Sequence, residues 1–181
     1  MEKTYKKIAE SQVVISELML PSHSNFNGKI HGGYLLSLLD QIAFACASKH
    51  SRAYCVTASV DTVDFLKPIE IGELVTLKAS VNYVGNSSMV IGIRVEAENI
   101  LTGEVKHCNS SYFTMVAKDK DGKSLPVPGL ILEGDHDIRR FVKSIKRNKM
   151  KAKRKTEFHE TDFSSNEYIH ILEDYNVKIE L

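Results

Sequence analysis

The chain lacks a disulfide framework: its three cysteines, Cys46, Cys55 and Cys108, are odd in number, far apart and form no C-x-x-C pair. They read as small buried hydrophobes of a reducing compartment. The start of the sequence, Met1 to Lys7, leads into a mixed polar run, without the roughly 7 to 15 apolar residues and small-residue cleavage site of a secretory signal. No uninterrupted apolar run reaches the roughly 18 residues that cross a bilayer. The expectation is a cytoplasmic protein with no membrane span, in which the sequons at Asn86 and Asn109 carry no glycan. Catalytic signatures are missing as well. There is no H-E-x-x-H, and His23 and His31 alone are too few for a metal; there is no G-x-S-x-G nucleophile elbow, no P-loop and no Rossmann glycine pattern. The cysteines have no assigned histidine partner for nucleophilic catalysis. The expectation is a protein with neither metal nor cofactor.

What is present is one globular domain's worth of chain. The sequence has 181 residues, 43% of them hydrophobic and 26% charged, as in an ordinary folded protein. A net charge of +1 hides an uneven distribution. Ten Lys or Arg and no acid fall between Arg139 and Lys155, which leaves fourteen basic against twenty-three acidic residues elsewhere. Such a run reads first as a solvated helix face, second as an anion-binding surface. Nucleic acid is not expected, because no DNA-binding motif or aromatic platform accompanies the charge.

Periodicity gives the order of elements. Val13 to Leu20 is a β-branched run closed by Pro21. The loop to Ile30 is rich in Ser, Asn, His and Gly, and after His31-Gly32-Gly33 the segment Tyr34 to Ser48 is apolar on nearly every face, the mark of a buried helix. Strands are expected over Tyr54–Phe65, over 73–83 with Val75, Leu77, Ala79 and Val81 on one face and a wetter opposite face, over 89–97 after a Gly85-Asn86 hairpin turn, and over 105–117. Gly92, within a strand, suggests curvature or a close backbone approach. Leu125 to Gly129 breaks regular structure, and Asp137 to Met150 then forms a helix with an apolar stripe of Ile138, Phe141, Val142 and Ile145. Beyond Lys151 the chain is polar until Tyr168 to Leu172, a stretch that either packs on a neighbour or stays loose. The fold class is α+β, an antiparallel sheet wrapped around one helix, since the sheet has one apolar face to bury and the helix no face to leave wet. The divisions are an N-terminal extension (1–12), the wrapped-helix domain (13–130), and a basic helical segment with a tail (131–181).

Asp40 is the informative position. Its neighbours at three and four residues are Leu36, Ser37, Ala43 and Phe44, so the carboxylate is expected in apolar surroundings, where an unpaired charge costs several kcal/mol. It either caps a neighbouring loop or serves as a tuned acid–base group. The second feature is the loop ending in Gly32-Gly33, where the free N–H groups of a helix start favour an oxyanion.

Together, Asn25-x-x-Gly28-x-x-His31-Gly32-Gly33, Asp40, Asp61-x-x-Asp64-Phe65-x-x-Pro68, Gly72, Gly85-Asn86-Ser87-Ser88-Met89 and Ala117-x-Asp119 resemble the acyl-CoA hydrolases of the hotdog superfamily. The resemblance spans roughly Val13 to Pro128. It implies a hotdog fold that dimerises through sheet edges, commonly as a trimer of dimers, and that hydrolyses acyl-CoA to an acid and CoA by activated water. The same fold could instead serve as a non-catalytic acyl-CoA sensor. Asp40 then matches the catalytic carboxylate and Asn25 the loop asparagine that positions water or carbonyl across a subunit interface. Gly33 matches the backbone donor to the thioester carbonyl. Ser87 and Ser88 match a turn near the pantetheine and phosphates of CoA. His31 and Gly32 line the site, His31 replacing an aromatic residue of many relatives. Lys146, Arg147 and Lys149 would form a collar for the CoA phosphates.

Overall fold

The structure, a computed structural model, describes residues 4–161, 172, 175–178 and 180. Two compact units divide the chain, Met1–Ser144 and Ile145–Leu181.

The first unit is organised around one long helix on one curved sheet. Helix α2 (Gly32–Ser51) follows β1 (Tyr5–Lys7), α1 (Ile8–Ser11), β2 (Val13–Leu18) and a 3-10 turn at Pro21–His23. After it come β3 (Tyr54–Val60), β4 (Glu73–Val84), β5 (Ser88–Asn99), β6 (Glu104–Lys118), β7 (Gly129–Ile131) and α3 (Asp135–Glu160). Five strands form an antiparallel sheet in the order β2-β4-β5-β6-β3, which leaves β2 and β3 as edges. The strand–turn–strand signals at Gly85-Asn86 and Thr102-Gly103 set the two central hairpins. Alternation in β4 and β5 turns Val75, Leu77, Ala79, Val81, Met89, Ile91, Ile93 and Val95 inward. They bury Leu35, Leu38, Leu39, Ile42, Ala43, Cys46 and Ala47 of α2, in a core that also holds the three free cysteines. At about 1.5–3 kcal/mol for each fully buried aliphatic side chain, this contact dominates the stability of the unit. Burial holds the Cys46 thiol protonated, with its pKa pushed up to about 12.

Several expectations need correction. Helix α2 is not enclosed on every side. His31, Gly33, Leu36, Ser37, Asp40, Gln41 and Phe44 form an exposed stripe along it, because the sheet covers only the opposite face. Strand β3 stops at Val60, not Phe65. A bulge between Thr57 and Ser59 shifts the register, pairing with β6 resumes through Val60, and beyond it Asp61 N–H and Leu66 N–H bond to the Tyr112 and Cys108 carbonyls.

The N-terminal segment and the stretch after Pro128 were not read as elements, yet β1 and β7 pair in parallel, with Tyr5 lying where a Cβ on Gly129 would stand. The ends meet over buried His50, whose Nδ1 lies 3.1 Å from Ser11 Oγ and whose Nε2 lies 3.0 Å from the Pro128 carbonyl.

The outer face of β4 is less wet than its pattern suggests. Ser80 and Asn82 are buried there, and Arg140 donates to Ser80 Oγ at 3.2 Å while Phe141 meets Tyr83. Helix α3 therefore meets the sheet through Arg140, Phe141 and Ser144; Ile138 and Val142, expected on its packed stripe, are exposed. Gly92 permits a close approach by a side chain, not by backbone: a Cβ there would stand 2.1 Å from Asn82 Nδ2.

In the second unit the helix continues to Glu160 rather than Met150. The expected apolar stretch from Tyr168 to Ile171 lies outside the described residues.

Candidate active site

The open stripe of α2 carries three of the expected site residues, His31, Gly33 and Asp40. Asp40 is exposed in the single chain, against the expectation of burial, because its neighbours Leu36 and Phe44 are themselves uncovered, at 39% and 38% exposure. Its carboxylate accepts a 2.6 Å hydrogen bond from Thr57 Oγ1 on β3. Thr57 alternates with buried Cys55, so its side chain is on the helix side of the sheet. The bulge that follows it is a device often found where a strand re-aims a side chain next to an active site. Sequence reading missed Thr57. The only signal was a hydroxyl residue two positions from a buried cysteine on an edge strand.

The helix start lies at the other end of the stripe. His31 is the N-cap: its Nδ1 accepts the Gly33 N–H at 2.9 Å, so the donor expected to face a ligand is engaged. Glycine at 33 makes this cap possible, since a Cβ would come within 3.0 Å of that nitrogen. Gly32 faces the ring of Phe65, which a Cβ would meet at 3.4 Å.

Asn25 fixes the preceding loop. Its Oδ1 accepts the N–H groups of Asn27 and Lys29 at 2.9 and 3.2 Å, and its own N–H donates to the Lys29 carbonyl at 2.7 Å. With Oδ1 so occupied, the Nδ2 amide is the half of the side chain left to act on another group. The Lys29–Glu70 ion pair and the Ile30–Ile69 backbone bond tie the loop to the segment after β3.

The structure thus joins Asp40 to Thr57 and His31 to Gly33, but it does not join the two pairs. Seven residues of helix separate Gly33 from Asp40, about 10 Å of rise. Ser88 pairs with Val116, next to the Thr57–Met115–Met89 row and two strands, about 10 Å, from Thr57. Ser87 accepts the Ala117 N–H through its carbonyl. Lys146 and Lys149 are exposed and Arg147 half-buried on α3, in the second unit. Among the described residues no group of three His, Cys, Asp or Glu side chains is placed to hold a metal ion, and no helix is long and apolar enough to cross a membrane.

This geometry agrees with what known proteins show. The model of the thioesterase superfamily matches residues 27–104. The chain is 38% identical over 146 residues to an uncharacterized acyl-CoA thioester hydrolase, YkhA, of Bacillus subtilis, covering 81% of this chain and 85% of that one. A crystal structure of an apo-hexameric acyl-CoA thioesterase superposes with a TM-score of 0.81 at 34% identity, covering 83% of this chain and 97% of the other. The acyl-CoA hydrolase of Staphylococcus aureus, in complex with butyryl coenzyme A, coenzyme A and coenzyme A disulfide, gives 0.78 at 32% identity, covering 94% and 99%. Structures of that hydrolase also exist with one asparagine, one aspartate or one threonine replaced by alanine. With its hotdog sheet packed on α2, Asp40 on the exposed stripe of that helix and these matches, the chain belongs to the acyl-CoA thioester hydrolases of the thioesterase superfamily.

Proposed function

We propose that the protein hydrolyses acyl-CoA to a carboxylic acid and free CoA, using its own side chains and a water molecule, without metal or cofactor. The observation that carries the reading is the Asp40–Thr57 pair on the uncovered stripe of α2. A carboxylate oxygen held by one donor keeps its remaining lone pairs for a water proton. Asp40 takes that proton as the water oxygen attacks the thioester carbon. The oxyanion is met by the positive end of a helix, Gly33 N–H first, once the His31 ring has moved off it. Collapse breaks the C–S bond, and the proton on Asp40 passes to the leaving thiolate.

The attacking water and the carbonyl oxygen lie about 3 Å apart in such a step, whereas Asp40 and Gly33 of one chain are about 10 Å apart along the helix. The helix start and Asn25 must therefore come from a second copy. The exposed Leu36 and Phe44 supply an apolar contact for it, and β3 a free sheet edge. The working form is a homodimer at least, and assembly as a trimer of dimers would give six chains, the number in the hexameric relative. The residues replaced in the Staphylococcus aureus hydrolase support the roles of Asn25, Asp40 and Thr57: an asparagine, an aspartate and a threonine there are separated by the same two intervals as these three here. Free, buried cysteines fit action in the cytoplasm, in fatty acid metabolism.

Thiol release from short, medium and long acyl-CoAs tests the reaction, and light scattering beside it tests assembly. Turnover with no stable, active monomer is expected. Tight binding without turnover on any chain length would leave a sensor, and an active monomer would overturn the two-chain site.

A further inference from the structure

The loop that carries Asn25 hangs on a chain of side chains that the proposed chemistry leaves idle. Its base is closed by Ser24 and Ile30, which pair as an isolated antiparallel bridge, and its interior by the bonds of Asn25 to Asn27 and Lys29. Such bonds shape the loop without holding it to the helix. His23, next to that base, does so. Its carbonyl accepts the His31 N–H at 2.9 Å, and its ring lies on that of Tyr34, the centroids 4.0 Å apart and the planes 16° from parallel. Its Nδ1 accepts the Leu20 N–H at 3.3 Å, which fixes the orientation of the ring.

Tyr34 stands in the first turn of α2, the residue after Gly33, and its hydroxyl donates to Glu17 Oε1. Glu17 is on β2 in register with buried Val75 of β4, so its half-buried carboxylate lies on the helix side of the sheet. A carboxylate taken from water needs a donor, and the phenol is that donor. The bond to Glu17, ahead of burial, raises the pKa of Tyr34 and keeps the phenol protonated. Sheet edge, helix start and loop base are thus joined through Glu17, Tyr34 and His23. The far side of the loop has its own ties in the Lys29–Glu70 ion pair and the Ile30–Ile69 backbone bond, so the Asn25 loop is held from both flanks.

Placement matters here more than stability. Asn25 and the Gly33 N–H must meet one thioester held against Asp40 of another copy, and a misplacement of about 1 Å in such a site can cost about 10² in rate. The two groups sit on different elements, an exposed loop and a helix, and the three side chains span the joint between them. We infer that Glu17, Tyr34 and His23 are positioning residues for the hydrolysis, a brace that sets Asn25 relative to the start of α2. The inference rests on the hydrolase reading and gives none of the three a proton to transfer.

Tyr34→Phe cuts the bond to Glu17 and keeps the stack, Tyr34→Leu removes both, and Glu17→Gln leaves the phenol an acceptor. At saturating acyl-CoA, kcat should fall about threefold in Tyr34→Phe and about tenfold in Tyr34→Leu, with KM within about twofold of wild type, while Glu17→Gln keeps most of the rate. A double-mutant cycle separates positioning from support of the fold. In an Asn25→Ala background Tyr34→Leu should change kcat by less than about twofold, because the group to be placed is gone. Equal losses of kcat in both backgrounds, or a Tyr34→Leu kcat within about twofold of wild type, would overturn the brace. If Tyr34→Leu does not fold, Tyr34→Phe carries the same cycle. Backbone amide exchange reads the loop without turnover: it should quicken over residues 24–31 in the Tyr34 variant and stay unchanged across β4 and β5, and wild-type protection of the loop would overturn the brace. Failure of the wild type to release thiol from any acyl-CoA, with that quickened exchange in the variant, would sink the hydrolase reading and uphold the brace as what holds the loop.

Discussion

Replacing Thr57 by valine tests the pair on which the proposed chemistry turns. Valine keeps the shape of threonine but removes the hydroxyl that donates to Asp40 at 2.6 Å. Hydrogen bonds to charged groups contribute about 1.5–3 kcal/mol, and the value belongs at the upper end once a second subunit excludes water. If the bond orients the carboxylate only in the reacting complex, that energy appears in the barrier, and kcat falls roughly 10- to 150-fold. Because Thr57 is exposed in the single chain, folding should lose little, and Tm and oligomer size should stay near wild type. Thr57→Ser, which retains the donor, should keep most of the rate. The assay is thiol release at saturating acyl-CoA. The reasoning is refuted if Thr57→Val turns over within twofold of wild type, or if serine is as damaging as valine.

Asp40→Asn should lower kcat by about 10² to 10⁴, with affinity for a non-hydrolysable acyl-CoA analogue retained; near-normal turnover removes Asp40 from the mechanism. Replacing Lys146, Arg147 and Lys149 together by alanine should raise KM for acyl-CoA more than KM for an acyl thioester lacking the nucleotide, and equal effects on both substrates would leave this face of α3 a solvated surface. Burial lowers the pKa of His50, with the neighbouring Lys6 acting in the same direction and the Pro128 carbonyl and Glu10 opposing. The unfolded chain therefore binds this proton more readily, so the stability that neutral His50 confers is whole above pH ~6.5 and lost as pH falls below it. Melting curves between pH 7.5 and 5 should drop more steeply for wild type than for His50→Gln, and parallel curves would refute the assignment.

The order of elements along the chain, the two hairpins and the long helix were legible because their signals are local: period-two alternation in β4 and β5, glycine turns, and an apolar run after Gly33. What failed was long-range. The pairing of β1 with β7 joins two three-residue strands across most of the chain, with nothing repeating in either segment. Thr57 became visible only when β3 was laid against α2. The apolar stripe assigned to α3 was right for Phe141, which meets Tyr83, but not for Ile138 and Val142, because beside that ring the sheet offers the polar Ser80 and takes Arg140 there instead. The error over Asp40 is the most instructive. Leu36 and Phe44 made the helix look enclosed, yet one chain leaves them bare. The sequence pattern is that of a helix covered on every face, and a single chain realises only part of it.

The ring of His31 at the start of α2 has a bearing on what happens after the reaction. Helix starts attract anions of every kind, and the acid released here is one. On the proposed mechanism, a side chain that already satisfies Gly33 N–H would return to it as the carboxylate departs, so a spent product would find one donor fewer to hold it. Each incoming thioester would have to displace the same ring, at a cost of about 0.5–1.5 kcal/mol for one hydrogen bond. The imidazole would then act as a built-in competitor that trades a little affinity for quicker clearance. His31→Ala should accordingly show stronger inhibition by the free acid; unchanged inhibition would leave the ring a plain helix cap.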